Sequence, residues 1–295
     1  MKPVSDALRA GELDRAMALA ESAVRDAPTS PSARSVLAEV LMIRGEFERA
    51  ETHLTALARF DPTQEREVQS CLQLLRAESD RQQVFSAGRA PEFLVPPTES
   101  MRLRLGALAH LRAGEPARAA EMLLRAGECE PPFHAVAITT PSEPEPSASA
   151  EVFTDWDSRF GSTIEGLTAT GKYYWIPLSA VASIEFSPVS TLRDLAWRSA
   201  IVTFGGGAKE AGPLENVAFL FIPTRYPGSE SAADGLLRAG LATEWTDLGE
   251  GLGIGIGQRT FLYGEREIAA VSIAALHSAA ADRRQPSIAS SEASA

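Results

Sequence analysis

Three landmarks recur at a fixed distance in the first part of the chain. Gly11 and Gly45 are 34 residues apart, and the same spacing separates Ala16 from Ala50 and Pro28 from Pro62. A third copy, with Gly114, Ala119 and Pro131, begins 69 residues beyond the second, close to two periods. Each residue type has a mechanical reason to recur. Glycine ends a helix by taking a left-handed conformation that a Cβ opposes. A small alanine lets two helices cross closely, and proline stops the second helix because it has no N–H to continue the ladder.

A period of 34 with helix-turn-helix texture is the signature of the tetratricopeptide repeat. Leu54, Leu57 and Leu123 supply the apolar stripe of the second helices, and 64–87 reads as a less regular helical segment in the gap. Such hairpins stack and leave a concave surface lined by the first helix of each pair. The register directs Glu39, Met42 and Ile43, and Arg104, Leu108 and Arg112, into that groove as partner-binding residues. The competing assignment makes Met42, Ile43 and Leu108 core. His110 falls where the repeat packs an aromatic between helices.

The fold class expected is α+β in two domains: a helical repeat domain over 1–138 and a strand-rich, mainly antiparallel α+β domain over 151–277. The stretch 139–150, rich in Pro, Ser and Glu, reads as a linker and 278–295 as a disordered tail. The runs KYYWIP, SIEF, AIVTF, VAFLFIP and QRTFLYG, separated by Gly, Pro and Ser clusters, read as strands. A net charge of −11 and a pI near 5.0 disfavour nucleic acid and anionic membranes as partners. No apolar run is long enough to span a bilayer and no signal peptide is visible, so a cytoplasmic location is expected. Cys71 and Cys129 read as small buried apolar residues.

No catalytic constellation emerges, so the chain reads as non-enzymatic and without cofactor. His53, His110, His134 and His277 lack metal-ligand spacing. Asp155 and Asp157 read as helix caps rather than paired acids. The glycines of 249–261 miss the dinucleotide-binding spacing and lead into a strand, so a curved or bulged strand explains them better. Likewise 204–212 lacks a phosphate-loop ending and reads as a hairpin tip. One polar and aromatic cluster stands out: Arg159, Tyr173, Tyr174, Trp175, Arg193, Asp194, Trp197, Arg225 and Tyr226. These residue types anchor interfaces. The reading favoured over that is an internal network in which Arg159, Arg193 and Arg225 meet carboxylates such as Asp155 and Asp194.

The segments DSRFG, GKYYWIP, LRDLAW, PTRYPGSE, TEW and GIGQRTF occur in the order and approximate spacing of the ImpE family, also called TagJ or SciE-like proteins, which the chain resembles. Gly161 and Ser162 depart from an expected Gly-Pro. The resemblance implies an accessory adaptor of type VI secretion, bound to the N-terminal helix of the small sheath subunit TssB and to the disassembly ATPase ClpV. The alternative is a small-molecule-binding or enzymatic second domain, with Arg159, Arg193 and Arg225 around a pocket and the repeats serving recruitment.

Overall fold

The structure, a computed structural model, describes residues 2–139, 149–205 and 217–282. Its first part is helical: α1 (Lys2–Arg9), α2 (Leu13–Asp26), α3 (Pro31–Ile43), α4 (Phe47–Phe60), α5 (Glu65–Ala87), α6 (Glu99–Arg112) and α7 (Pro116–Glu128). The repeated glycines do what their spacing predicts. Gly11, Gly45 and Gly114 turn the chain between paired helices with φ of 73°, 76° and 73°. Ala16, Ala50 and Ala119 are wholly buried at the crossings. Pro28, Pro62 and Pro131 follow the ends of α2, α4 and α7. Side-chain caps start two first helices, since Ser30 Oγ accepts from Ala33 N at 3.3 Å and Thr98 Oγ1 from Met101 N at 3.2 Å.

The second part is a sheet. Its strands are β1 (Glu92–Phe93), β2 (His134–Thr139), β3 (Glu151–Asp155), β4 (Thr163–Thr168), β5 (Tyr173–Pro177), β6 (Val181–Phe186), β7 (Trp197–Phe204), β8 (Val217–Pro223), β9 (Thr243–Gly249), β10 (Leu252–Gly257), β11 (Thr260–Tyr263), β12 (Arg266–Ala269) and β13 (Ile273–Ser278). Eleven of them form one sheet in the order β1-β5-β4-β8-β7-β6-β13-β2-β3-β11-β12, while β9 and β10 make a separate hairpin. Among the described residues, only β1 with β5 pairs in parallel. A short helix α8 (Gly235–Ala239) precedes the hairpin.

The boundary expected at 138 does not separate helix from sheet. β2 lies on its helical side, yet pairs with β13 in the middle of the sheet, Ala137 opposite Leu276. Its alternation explains this: Ala135 and Ala137 are buried while Val136 and Ile138 face outward, a period of two that suits a strand. Part of the proposed linker (140–148), most of the glycine-rich tip (206–212) and most of the proposed tail (283–295) lie outside the described residues. The first residues assigned to the tail, Ser278 and 279–282, complete β13 and a last helical turn.

The two faces of the sheet have separate cores. One gathers Ile164, Ile176, Ile184, Val202, Leu220 and Leu276. The other is shared with the helices, uniting Leu37, Leu41, Met42, Leu74 and Leu108 with Phe160, Tyr173, Trp175, Trp197 and Phe221. Burial of each such large side chain contributes about 1.5–3 kcal/mol. The helical layer thus completes its core only by covering the sheet. Even the repeat glycines take part, because Leu236 packs over Gly11 and Glu230 over Gly45, while no such neighbour approaches Gly114.

Candidate functional site

Five of the six residues assigned to a free groove are covered by, or bonded to, the strand-rich half. Met42 and Ile43 have no exposed surface and Leu108 is 3% exposed. The Ile43 carbonyl accepts from Arg225 Nη1 at 2.8 Å, and Glu39 Oε2 accepts from Leu192 N at 2.8 Å. Arg104 is buried, donates to the Ser158 carbonyl and pairs with Glu130 at 2.7 Å. Arg112 stays exposed and donates to the Val84 carbonyl at 3.0 Å. The competing assignment of Met42, Ile43 and Leu108 to the core is the one the structure shows, Glu39 and Arg104 bind loops of the strand-rich half, and Arg112 stays on the surface. The strand-rich half presents apolar and polar groups that match this face, so folding fills it.

A buried charge cluster lies at that junction. Glu165 on β4 accepts from Arg81 Nε of α5 at 2.7 Å, from Arg259 and from the Tyr173 hydroxyl. Arg81 also donates to Glu78 at 3.1 Å and to the Arg225 carbonyl at 3.0 Å. Glu78 in turn accepts from Trp197 Nε1 at 2.8 Å. Trp175 Nε1 donates to the Tyr173 oxygen. Burial would raise the Glu165 pKa, but Arg81 and Arg259 overcome it and hold the carboxyl at about 2. Asp155 differs. Burial pushes it up to about 7, with Arg259 opposing only in part and Asp157 adding to the rise. Arg259 Nε stands 3.2 Å from Asp155 Oδ2 without hydrogen-bond geometry, because this guanidinium is aimed at Glu165.

These opposite shifts predict opposite pH limbs. A carboxyl raised in the native state favours folding below its unfolded pKa, near 3.8, and loses that contribution as pH rises through about 7. Glu165 contributes above 4.5 and loses its contribution as pH falls toward 2. Asp155→Asn is therefore expected to flatten the decline in melting temperature between about pH 4 and 7. The limb below pH 4.5 should remain, and an unchanged slope above pH 4 would refute the assignment.

The polar and aromatic cluster read from the sequence is distributed through this interior. Arg159 pairs with Asp157 at 2.6 Å and donates to the Gly255 carbonyl at 2.9 Å. Arg193 reaches Glu67 at 2.6 Å, the Arg225 guanidinium donates to the carbonyls of Ile43 and Arg238, and Asp194 Oδ2 accepts from Ser190 N and Thr191 N at 2.8 Å each. The acids named in advance for these arginines, Asp155 and Asp194, thus serve other donors. Tyr173, Trp175 and Trp197 face the helices, whereas Tyr174 belongs to the other core. Tyr226 donates to Asp155 Oδ1 at 2.9 Å. The arrangement is a latch between layers. Sequence reading missed its centre, Glu78, Arg81, Glu165 and Arg259. The available signal was a charged residue inside apolar strand text, as in STIEGLT and QRTFLYG.

Several smaller expectations are also corrected. Asp155 and Asp157 cap a turn rather than a helix, accepting from Asp157 N and Arg159 N at 2.9 and 2.8 Å. Cys71 is buried but Cys129 is exposed. His110 is not packed between helices; its Nδ1 sits 2.7 Å from Glu115 at the partly exposed helix end. The glycines of β10 have a packing purpose beyond the bulge at its start. A Cβ on Gly255 would overlap the Tyr226 ring and press on Trp245, which packs against Trp156 with ring centroids 4.8 Å apart. Among the described residues no cluster of three or more His, Cys, Asp or Glu is placed to hold a metal ion, and no helix is long and apolar enough to cross a membrane.

Comparison with known proteins covers both halves. The model of the ImpE protein family matches residues 147–277, and a tetratricopeptide repeat model matches 7–75. The type VI secretion system accessory component TagJ of Pseudomonas aeruginosa is 31% identical over 257 residues, 86% of this chain and 83% of that protein. A crystal structure of a protein from Vibrio parahaemolyticus superposes with a TM-score of 0.79 at 20% identity, covering 93% of this chain and 97% of the other. The shared fold therefore spans helices and sheet together.

Proposed function

We propose, from the premise that this chain belongs to the ImpE family of type VI secretion accessory components, that it is a non-enzymatic adaptor joining the small sheath subunit to the disassembly ATPase. The observation that carries this reading is the 31% identity to TagJ across 86% of the chain. In this reading a TssB-like subunit is held through its N-terminal helix, and a ClpV-type ATPase is recruited to the same particle in the cytoplasm. Partners meet outer surfaces, since the inner face of the repeats is occupied by the chain's own sheet. A catalytic second half finds no support at the junction, whose charges are closed from solvent and engaged with one another.

The test is a pull-down with the immobilised N-terminal peptide of the cognate sheath subunit, with assembled sheath and with the ATPase. Capture by peptide and sheath, and of the ATPase only when this chain is present, is the expected result. Failure to bind peptide and sheath alike would remove the adaptor reading.

A further inference from the structure

An open cleft of about 400 Å³ lies between α1, α3 and the connection from β6 to β7. That volume is within the range of small-ligand and side-chain pockets, about 300–1,000 Å³. One wall is α1, where Lys2, Ser5 and Arg9 recur at helical spacing and all line the space. Val36, Val189 and Leu192 supply apolar surface, with Val189 46% exposed at the lip.

Electrostatics decides what such a cleft accepts. The carboxylate on the far wall, Glu39, is engaged by Leu192 N at 2.8 Å and Ser35 Oγ at 3.4 Å, and Arg193 is the cation that opposes the rise burial imposes on it. Asp194, on the same connection, is engaged by Ser190 N and Thr191 N. Asp6, although on α1, does not line the cleft. Lys2 and Arg9 form no ion pair among the described residues, in contrast to Arg44, which holds both Asp14 and Glu46. The α1 wall therefore presents two uncompensated cations beside aliphatic surface. The chain's net charge of −11 repels an acidic partner from afar. That repulsion is screened beyond about 8 Å at physiological salt, so the local pair governs docking.

We propose that this cleft binds an acidic peptide segment of a partner protein, with a carboxylate between Lys2 and Arg9 and a neighbouring aliphatic side chain against Val36, Val189 and Leu192. The inference rests on the adaptor reading only in expecting a partner, and the recognition chemistry is argued from the cleft alone.

The experiment uses the full chain and two fluorescein-labelled peptide pools of equal Leu, Val and Ser content, one with Asp and Glu and the other with Lys and Arg at the remaining positions. Fluorescence anisotropy is expected to show binding of the acidic pool and none of the basic pool, weakening with added salt. The double variant K2E/R9E should lose about tenfold or more in affinity. Both side chains are exposed, so its unfolding transition should match that of the parent. Val189→Glu, which adds a carboxylate at the lip, should weaken the acidic pool in the same direction. Absence of acidic-pool binding, or binding indifferent to K2E/R9E, overturns the proposal. Sheath capture retained by K2E/R9E together with no acidic-pool binding would sink the cleft and leave the adaptor reading standing. Acidic-pool binding that K2E/R9E abolishes, with no sheath capture, would do the reverse.

Discussion

Glu165→Ala is expected to lower stability by about 3–5 kcal/mol, the cost of leaving buried guanidinium groups without their counter-charge. The residue has no exposed surface and meets Arg81 from α5 and Arg259 just before β11, so one substitution removes a counter-charge on each side of the junction, leaving Glu78 beside Arg81 and Asp155 beside Arg259. Urea unfolding monitored by far-UV circular dichroism measures the effect as a lower midpoint at an unchanged slope. A double variant, Arg81→Met with Glu165→Leu, should not recover the loss, because Arg259 would still be buried without Glu165 and Glu78 without Arg81. A Glu165→Ala midpoint within about 1 kcal/mol of the parent, the range typical of an exposed pair, would mean that the cluster is not closed to water.

Truncation after Glu130 is expected to abolish cooperative folding. The helical part would keep its hairpin turns but expose the side of Met42, Ile43, Leu74 and Leu108 that now packs with Trp175, Trp197 and Phe221. A patch of that kind exceeds what a soluble monomer carries on its surface. The fragment should bind a hydrophobic dye and melt without a sharp transition, while the whole chain does neither. A sharp transition with no dye binding would show instead that the repeats form a self-sufficient domain.

The hairpins were legible because their determinants are local. Gly45 needs only its own left-handed turn, Ala50 only the adjacent helix, and Pro62 only the end of α4. The aromatic strands of the second half were legible for the same reason, in the alternation of short apolar runs. For Met42, Ile43 and Leu108 the sequence left groove and core open, because facing inward on the repeat register and facing a partner are the same pattern in one stretch of text. What distinguishes them is whether another part of the chain arrives there first.

The sequence by itself determined the three Gly-Ala-Pro hairpins, the change from helical to strand texture, and the resemblance to the ImpE family around GKYYWIP and PTRYPG. Only the tertiary structure decided that the two textures form one interlocked core, that β2 belongs to the sheet, and that Arg81, Glu165 and Arg259 meet. Arg81 and Glu165 lie 84 positions apart, and Glu165 and Arg259 lie 94 apart. No periodicity reports such a separation. The pairing is selected because a charge buried alone is too costly to keep, and Arg81 reaches Glu165 only when the helical layer closes on the sheet.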